Sequence, residues 1–157
     1  MMDWIFVTEE GVCDLRTAGV LIRNGRIVVQ RDRDGSEYAI PGGHVRIGET
    51  TQDALLREYR EETGAAVRIL RLLWTEECFW EMNGRRMHNL TFYYLIELCE
   101  GSDIPDKADF LPHHDNDRVM LGWMPVDQLQ PVTIYPDFIK NEIHQLADHP
   151  KHFISRY

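Results

Sequence analysis

Three glutamates, Glu58, Glu61 and Glu62, lie three and four residues apart along the chain. On an α-helix these spacings bring side chains onto one face, within an arc of about 100°. Carboxylates that close repel one another and require a counter-charge. Hard divalent cations prefer oxygen ligands, so the pattern indicates a site for magnesium or manganese. The alternative is an acidic helix face that only contacts solvent.

The residues around the carboxylates predict the helix that carries them. Thr50, with Asp53 three residues later, has the pattern of an N-cap and its partner, and Gly64 is placed to end the helix. These signals predict a helix from Thr51 to Thr63.

Other side chains of this helix have separate predicted roles. Leu55, Leu56 and Tyr59 form an apolar stripe that we expect to pack on a core. Arg57 lies one turn before Glu61, and we expect it to orient that carboxylate through a charge-assisted hydrogen bond.

The segment Gly43 to Ala65 resembles the Nudix box. In that pattern a glycine, here Gly43, precedes a glutamate, here Glu49, and the run from Arg57 to Ala65 completes the match. The charged and glycine positions all agree. Tyr59 and Ala65 stand where bulky aliphatic residues are commoner, and neither position is a ligand.

The resemblance implies an α/β fold, the Nudix-type α/β/α sandwich with a mixed sheet. It also implies hydrolysis of a nucleoside diphosphate linked to a group X, giving a nucleoside monophosphate and phosphorylated X, with Mg²⁺ or Mn²⁺ as cofactor. The metal candidates are the Gly42 carbonyl, Glu58, Glu61, Glu62 and Asp117.

The catalytic candidates are Glu61, Glu58 and Arg57, and the glutamate that acts as general base is left open. We expect Glu49 to brace the loop or Arg57, although some members of the family place this residue at a metal.

The loop before Trp123 supplies the acidic candidate outside the box. Asp117 is the first choice there and Asp115 the second, with a solvated aspartate as the alternative. We expect His113 and His114, on the same polar loop, to be surface residues and not metal ligands.

The substrate-binding candidates are Arg31, Trp80 and Gly43. Trp80 could stack on a nucleobase. The alternatives are that Trp80 packs the sheet with Trp74 and Phe79, and that Arg31 is an ordinary exposed arginine. No residue pattern identifies the base or X.

Composition favours one globular domain spanning residues 1–157. The chain is 43% hydrophobic and 27% charged, with a net charge of −9 and no basic stripe, which argues against nucleic acid as a partner. No apolar run reaches membrane-spanning length, and three cysteines without metal-type spacing suggest a reduced, cytoplasmic protein. A homodimer is possible.

Strands are predicted around the central helix. Asn24-Gly25 and Asn83-Gly84 predict two hairpins. The stretch from Pro136 to Leu146 predicts an amphipathic C-terminal helix, and the tail from Lys151 to Tyr157 is expected to fold back to a site or to pair subunits.

A second hypothesis from another class is a non-catalytic module that keeps the fold and binds a nucleotide or nucleotide sugar. The complete set of Glu58, Glu61 and Glu62 favours the enzyme, because a pure binder does not need a full metal cluster.

Overall fold

The computed structural model of the chain describes all residues, 1–157. No helix in it could span a membrane. A 3-10 turn spans Val126–Gln128. The strands and helices are β1 (Ile5–Val7), β2 (Gly11–Arg23), β3 (Arg26–Asp32), β4 (Glu37–Ala39), β5 (Gly42–His44), α1 (Thr51–Thr63), β6 (Val67–Met82), β7 (Arg85–Leu98), β8 (Leu111–Pro112), β9 (Val119–Pro125), β10 (Thr133–Tyr135), α2 (Ile139–Glu142) and β11 (Lys151–Arg156).

The strands form one mixed sheet in the order β10-β4-β3-β2-β7-β6-β11. The β2–β7, β4–β10 and β6–β11 pairs are parallel, whereas β2–β3 and β6–β7 are antiparallel. The long strand β2 also pairs with β1 and β5. Strand β5 therefore holds the Gly42–Gly43 turn against the centre of the sheet, directly before α1.

Both predicted hairpins are present. Asn24 and Gly25 join β2 to β3 with φ of 53° and 70°, and Asn83 and Gly84 join β6 to β7 with φ of 53° and 78°. Asparagine and glycine tolerate this left-handed region better than other residues, which is why these pairs mark tight hairpins.

Apolar side chains cover both faces of the sheet, so the predicted α/β sandwich is confirmed. On one face, Leu55 and Tyr59 of α1 pack with Leu21, Tyr94 and neighbouring residues. On the other, a second core contains the buried residues Ala18, Val20, Ile27, Val29, Ile40, Leu73, Trp74, Tyr93, Met124, Leu129, Ile134, Ile139 and Ile143.

Helix α1 has the predicted bounds, because its end signals are local. The Thr50 hydroxyl accepts a hydrogen bond from the Asp53 amide at 3.0 Å, and Gly64 ends the helix in the left-handed region with φ of 72°. The predicted apolar stripe is wrong at Leu56, which is exposed; Ala54 takes its place in the buried face with Leu55 and Tyr59.

The C-terminal helix is much shorter than predicted. Only Ile139–Glu142 is α-helical, although Ile139 and Ile143 are buried in the core as the pattern required. Helices this short depend on packing, because the first helical turn fixes several residues for a single hydrogen bond. The tail then forms β11, parallel to β6, so it folds back within the same chain.

Candidate functional site

Two glycines allow the box to close on the sheet. A Cβ atom on Gly42 would lie 2.1 Å from the Thr17 carbonyl oxygen, so a side chain there would push β5 off β2. A Cβ atom on Gly43 would lie 2.4 Å from the carboxyl carbon of Glu58. The turn therefore needs glycine because a strand and a carboxylate approach it, and Glu58 lies directly against β5.

Arg57 connects the acidic side chains of the box. Its Nε and Nη2 donate to the two carboxylate oxygens of Glu49 at 2.8 and 2.9 Å, and Nη2 also donates to the His44 carbonyl at 3.0 Å. Its Nη1 donates to Glu58, and to Glu61 at 3.2 Å. The expected roles of Glu49 as a brace and of Arg57 as the group that orients Glu61 agree with these contacts.

This network shifts the pKa of both Glu49 and Arg57. The hydrogen bonds from Arg57 hold the pKa of Glu49 below its usual range, and those to Glu49 raise the pKa of Arg57 above its already high value. Arg57 is therefore a permanent cation at the centre of the box.

Glu62 occupies a different environment from its neighbours. It is buried, and its Oε2 atom has no hydrogen-bond partner. Burial, followed by the charges of Glu58 and Asp115, raises the pKa of Glu62 to about 9. A buried carboxylate without a counter-charge is unfavourable, so this position calls for a cation.

The side chains present fit a divalent cation. Glu62 offers an unpaired buried oxygen, and Glu58 lies close enough for its charge to act on Glu62. Both are oxygen donors of the kind that magnesium and manganese take. Yet no three His, Cys, Asp or Glu side chains converge on a single point, because Arg57 holds Glu58 and Glu61.

In the loop before β9, Asp115, the second candidate, acts on the box, whereas the side chain of Asp117, the first candidate, does not contact it. The side chain of Asp117 is exposed and has no hydrogen bond or ion pair with the box, while its carbonyl accepts from Arg33. The charge of Asp115 acts on Glu62. Asp115 also lies 3.7 Å from His113 Nδ1.

Of the two histidines of this loop that were expected at the surface, His114 is exposed as expected, whereas His113 is not. His113 is buried, its Nδ1 lies 4.0 Å from Glu62 Oε1, and its Nε2 has no partner. The expectation fails because the His114 amide donates to the Glu62 carbonyl at 2.9 Å, which anchors the loop to the end of α1. Burial lowers the pKa of His113.

A cavity of about 800 Å³ adjoins the box. It lies on the sheet face opposite α1, where β2, β6 and β7 present alternate side chains, and it meets the box at Gly42 and His44. The box glutamates are not among its walls. Its lining residues are Asp14, Arg16, Thr17, Ala18, Gln30, Glu37, Ala39, Ile40, Gly42, His44, Glu76, Cys78, Trp80, Glu81, Met82, Met87, Asn89, Thr91, Tyr93, Tyr135 and Tyr157.

A polar network forms the wall of the cavity nearest the box. His44 Nε2 lies 2.8 Å from both Arg16 Nη1 and Asp14 Oδ2, and Asn89 donates to Asp14. Burial acts to raise the pKa of Asp14, but the hydrogen bonds from His44 and Asn89 outweigh it, so that pKa is lowered. Arg16 lines the cavity, and its charge also acts on Glu62.

The substrate-binding candidates Trp80 and Arg31 lie in different parts of the structure, and only Trp80 lines the cavity. Trp80 lines the cavity and its indole N–H donates to Asn89, whereas Trp74 is buried in the core and Phe79 stacks on His88. Arg31 does not line the cavity. Its guanidinium donates to the carbonyls of Asp32, Arg33 and Gly35 in its own loop.

Several residues of the site were not identified from the sequence. Asp14, Arg16 and His44 form the wall next to the box, and Glu76 and Tyr157 lie at other points of the cavity. One signal was available for some of them. Asp14 and Arg16 alternate with Cys13 and Leu15 in the first half of β2, a strand that is largely apolar beyond them, and such alternation indicates a solvated or ligand-binding face.

Comparison with known proteins agrees with this arrangement. The sequence profile of the NUDIX domain matches residues 14–145. The chain is 28% identical over 140 residues to a putative mutator protein MutT4 of Mycobacterium tuberculosis, an alignment that covers 88% of this chain but 51% of that protein. The chain thus spans about half the length of this relative.

A second relative is an ADP-ribose pyrophosphatase of Methanocaldococcus jannaschii, 33% identical over 120 residues, with 68% of this chain and 70% of that protein aligned. Among solved structures, a MutT protein from Bacillus halodurans superposes with a TM-score of 0.69 at 17% identity, covering 92% of this chain and 90% of that one. The fold, the box and the profile match together show that this chain belongs to the NUDIX domain family.

Proposed function

We propose that the protein is a metal-dependent hydrolase that cleaves the diphosphate of a nucleoside diphosphate linked to a group X. The products are a nucleoside monophosphate and phosphorylated X. The observation that carries this proposal is the buried, unpartnered oxygen of Glu62 beside Glu58, next to a cavity of about 800 Å³. The cavity reaches the box at Gly42 and His44 of β5, the strand against which Glu58 lies.

The proposed metal ligands are Glu58, Glu61, Glu62 and the Gly42 carbonyl, with Asp117 now less well supported than Asp115. A bound Mg²⁺ or Mn²⁺ would neutralise phosphate charge and lower the pKa of a water molecule. The chain's own groups perform the remaining tasks.

Glu61 or Glu58 accepts the proton of the attacking water, and Arg57 keeps both carboxylates in position. The water oxygen forms a bond to phosphorus while the bond from that phosphorus to the bridging oxygen breaks. Arg16, which lines the cavity and whose charge acts on Glu62, supplies a cation for a phosphate oxygen. Gly43, without a side chain, leaves the Glu58 carboxylate its place against β5.

The cavity is the proposed place for the nucleoside. Trp80 offers an aromatic face on which a base can stack. Arg31 donates hydrogen bonds within its own loop and does not line the cavity, so it is the weaker candidate for substrate binding. The polypeptide is proposed to act as a single domain in the cytoplasm, without nucleic acid or membrane partners. The exposed Trp4, Phe6 and Val7 near β1 offer a surface for a homodimer.

The alternative is a non-catalytic module that binds a nucleotide or nucleotide sugar. One observation favours it: Arg57 already pairs with Glu58 and Glu61.

A substrate panel with product identification separates the two functions. Purified protein is stripped with a chelator, then supplied with Mg²⁺ or Mn²⁺ and a series of nucleoside diphosphate derivatives. The proposal requires turnover that depends on the cation and yields a nucleoside monophosphate. Binding of the same compounds without any hydrolysis would support the module instead, and activity that survives exhaustive chelation would refute metal dependence.

A further inference from the structure

One carboxylate in the cavity has no role in the proposed hydrolysis. Glu76 is 2% exposed and lines the cavity, and its Oε2 accepts a hydrogen bond from the Tyr93 hydroxyl at 2.7 Å. Its Oε1 atom is buried and has no partner. Unsatisfied buried acceptors are rare in folded proteins because each one loses its hydrogen bonds to water.

Two further cavity residues also have a buried oxygen without a hydrogen-bond partner. Thr17 Oγ1 and Gln30 Oε1 are buried without partners, and both residues line the cavity with Glu76. Asp14, by contrast, is satisfied by His44 and Asn89. The unmet atoms in this cavity are therefore oxygens. The Thr17 hydroxyl can donate or accept, but the carboxylate and amide oxygens of Glu76 and Gln30 only accept, so a ligand that satisfies these two must donate hydrogen bonds.

The Tyr93 hydroxyl stays a donor to Glu76. Burial, followed by the charge of Glu76, raises the pKa of Tyr93 well above its usual value. Because Tyr93 takes one carboxylate oxygen, the other, Oε1, is the acceptor that remains without a donor on this cavity-lining residue.

Strand register sets the distance between Glu76 and the box. Glu76 is opposite Thr91 on β7, Thr91 is opposite Arg16 on β2, and Arg16 is opposite His44 on β5. Three strand spacings amount to about 14 Å. A ligand with phosphates at the box can therefore extend along this row toward Glu76. Trp80, Tyr135 and Tyr157 provide aromatic walls for a planar ring.

We propose that Glu76 selects nucleobases that carry an exocyclic amino group over those that carry only oxo groups. An amino N–H satisfies the free carboxylate oxygen, whereas an oxo group would place two acceptor oxygens against each other. This inference rests on the proposed function, since it concerns the nucleoside of the same substrate.

Matched substrate pairs test the inference. CDP-glucose and UDP-glucose differ at the amino or oxo group of the base, as do ADP-ribose and its hypoxanthine counterpart. We expect kcat/KM to favour the amino member of a hydrolysed pair by about tenfold or more. Glu76→Gln, whose amide both donates and accepts, should bring the ratio to within about threefold. Glu77→Gln, which changes the adjacent carboxylate of β6 outside the cavity, where it lies 3.0 Å from His152 Nε2, should leave the wild-type ratio unchanged.

Binding provides a readout without metal or turnover. Calorimetry on the metal-free protein should show tighter binding of CMP than of UMP and of AMP than of inosine monophosphate, and Glu76→Gln should remove the difference. Equal kcat/KM within both pairs, or preference for the oxo member, overturns the inference while leaving the hydrolase proposal intact. If no nucleoside diphosphate derivative is cleaved and no monophosphate binds, both proposals fail. The wild-type ratios decide the matter even if Glu76→Gln does not fold.

Discussion

Replacement of Arg57 tests whether one guanidinium holds the box together. Arg57→Ala removes the two hydrogen bonds to Glu49, the one to the His44 carbonyl and those to Glu58 and Glu61. The side chains of Glu49 and Glu58 are only 13% and 15% exposed, so the substitution leaves two largely buried carboxylates without their cation.

The expected loss of stability follows from the burial of these two carboxylates. Breaking a buried ion pair by removing one partner costs about 3–5 kcal/mol. The contact to Glu61 adds nothing to this figure, because that side chain is 40% exposed and its pair is screened by solvent. For a chain of this length a loss of 1 kcal/mol lowers Tm by about 2–4 °C, so Arg57→Ala should lower Tm by about 6–20 °C.

The assay is thermal unfolding of the metal-free protein, with Arg60→Ala as the control. Arg60 is an exposed arginine of the same helix, and its replacement should change stability by no more than about 0.5 kcal/mol. Arg57→Lys keeps the charge but cannot grip Glu49 with two nitrogens, and should fall between the two. A Tm for Arg57→Ala equal to that of Arg60→Ala would refute the central position assigned to Arg57.

Two further predictions concern the walls of the site. Gly42→Ala should destabilise the fold by about 1–3 kcal/mol because its Cβ meets the Thr17 backbone. The Cβ of Gly43→Ala meets only the carboxylate end of the Glu58 side chain, which can change rotamer at the cost of its contact with Arg57, so this variant should lose activity with a smaller change in Tm. Equal stability losses would contradict this contrast. The lowered pKa of Asp14 contributes stability that is present above the unfolded value of about 3.9 and is lost as pH falls through the folded pKa. Asp14→Asn should therefore flatten the decline of unfolding free energy in acid, as followed by denaturant titrations at several pH values, and an unchanged pH profile would count against the role of the network.

Helix α1 and the hairpins could be predicted because their signals are local. The Thr50 cap, the Gly64 stop and the two Asn-Gly pairs each act within a few residues. The match to the Nudix box also allowed roles to be predicted for Glu49 and Arg57, and their contacts agree with that prediction.

The features that the sequence did not reveal depend on long-range pairing. Strand β11 forms only because residues 151–156 meet β6, about 75 residues earlier in the chain, and no local pattern marks that partner. Which of Asp115 and Asp117 acts on the box depends on how the loop is held. The His114 amide binds it to the end of α1, and Arg33 binds the carbonyl of Asp117. The cavity arises where β2, β5, β6 and β7 come together, so its polar walls, Glu76 among them, were visible only in the fold.

The most direct test of the account is turnover by Glu61→Gln and Glu62→Gln at saturating Mg²⁺ or Mn²⁺, on a substrate that the wild type cleaves. Each change keeps the size of the side chain and removes its charge, so circular dichroism should match the wild type. The account predicts that turnover falls by about 10²-fold or more in both variants. Normal turnover in both would contradict the assignment of these carboxylates to a metal-dependent hydrolytic site.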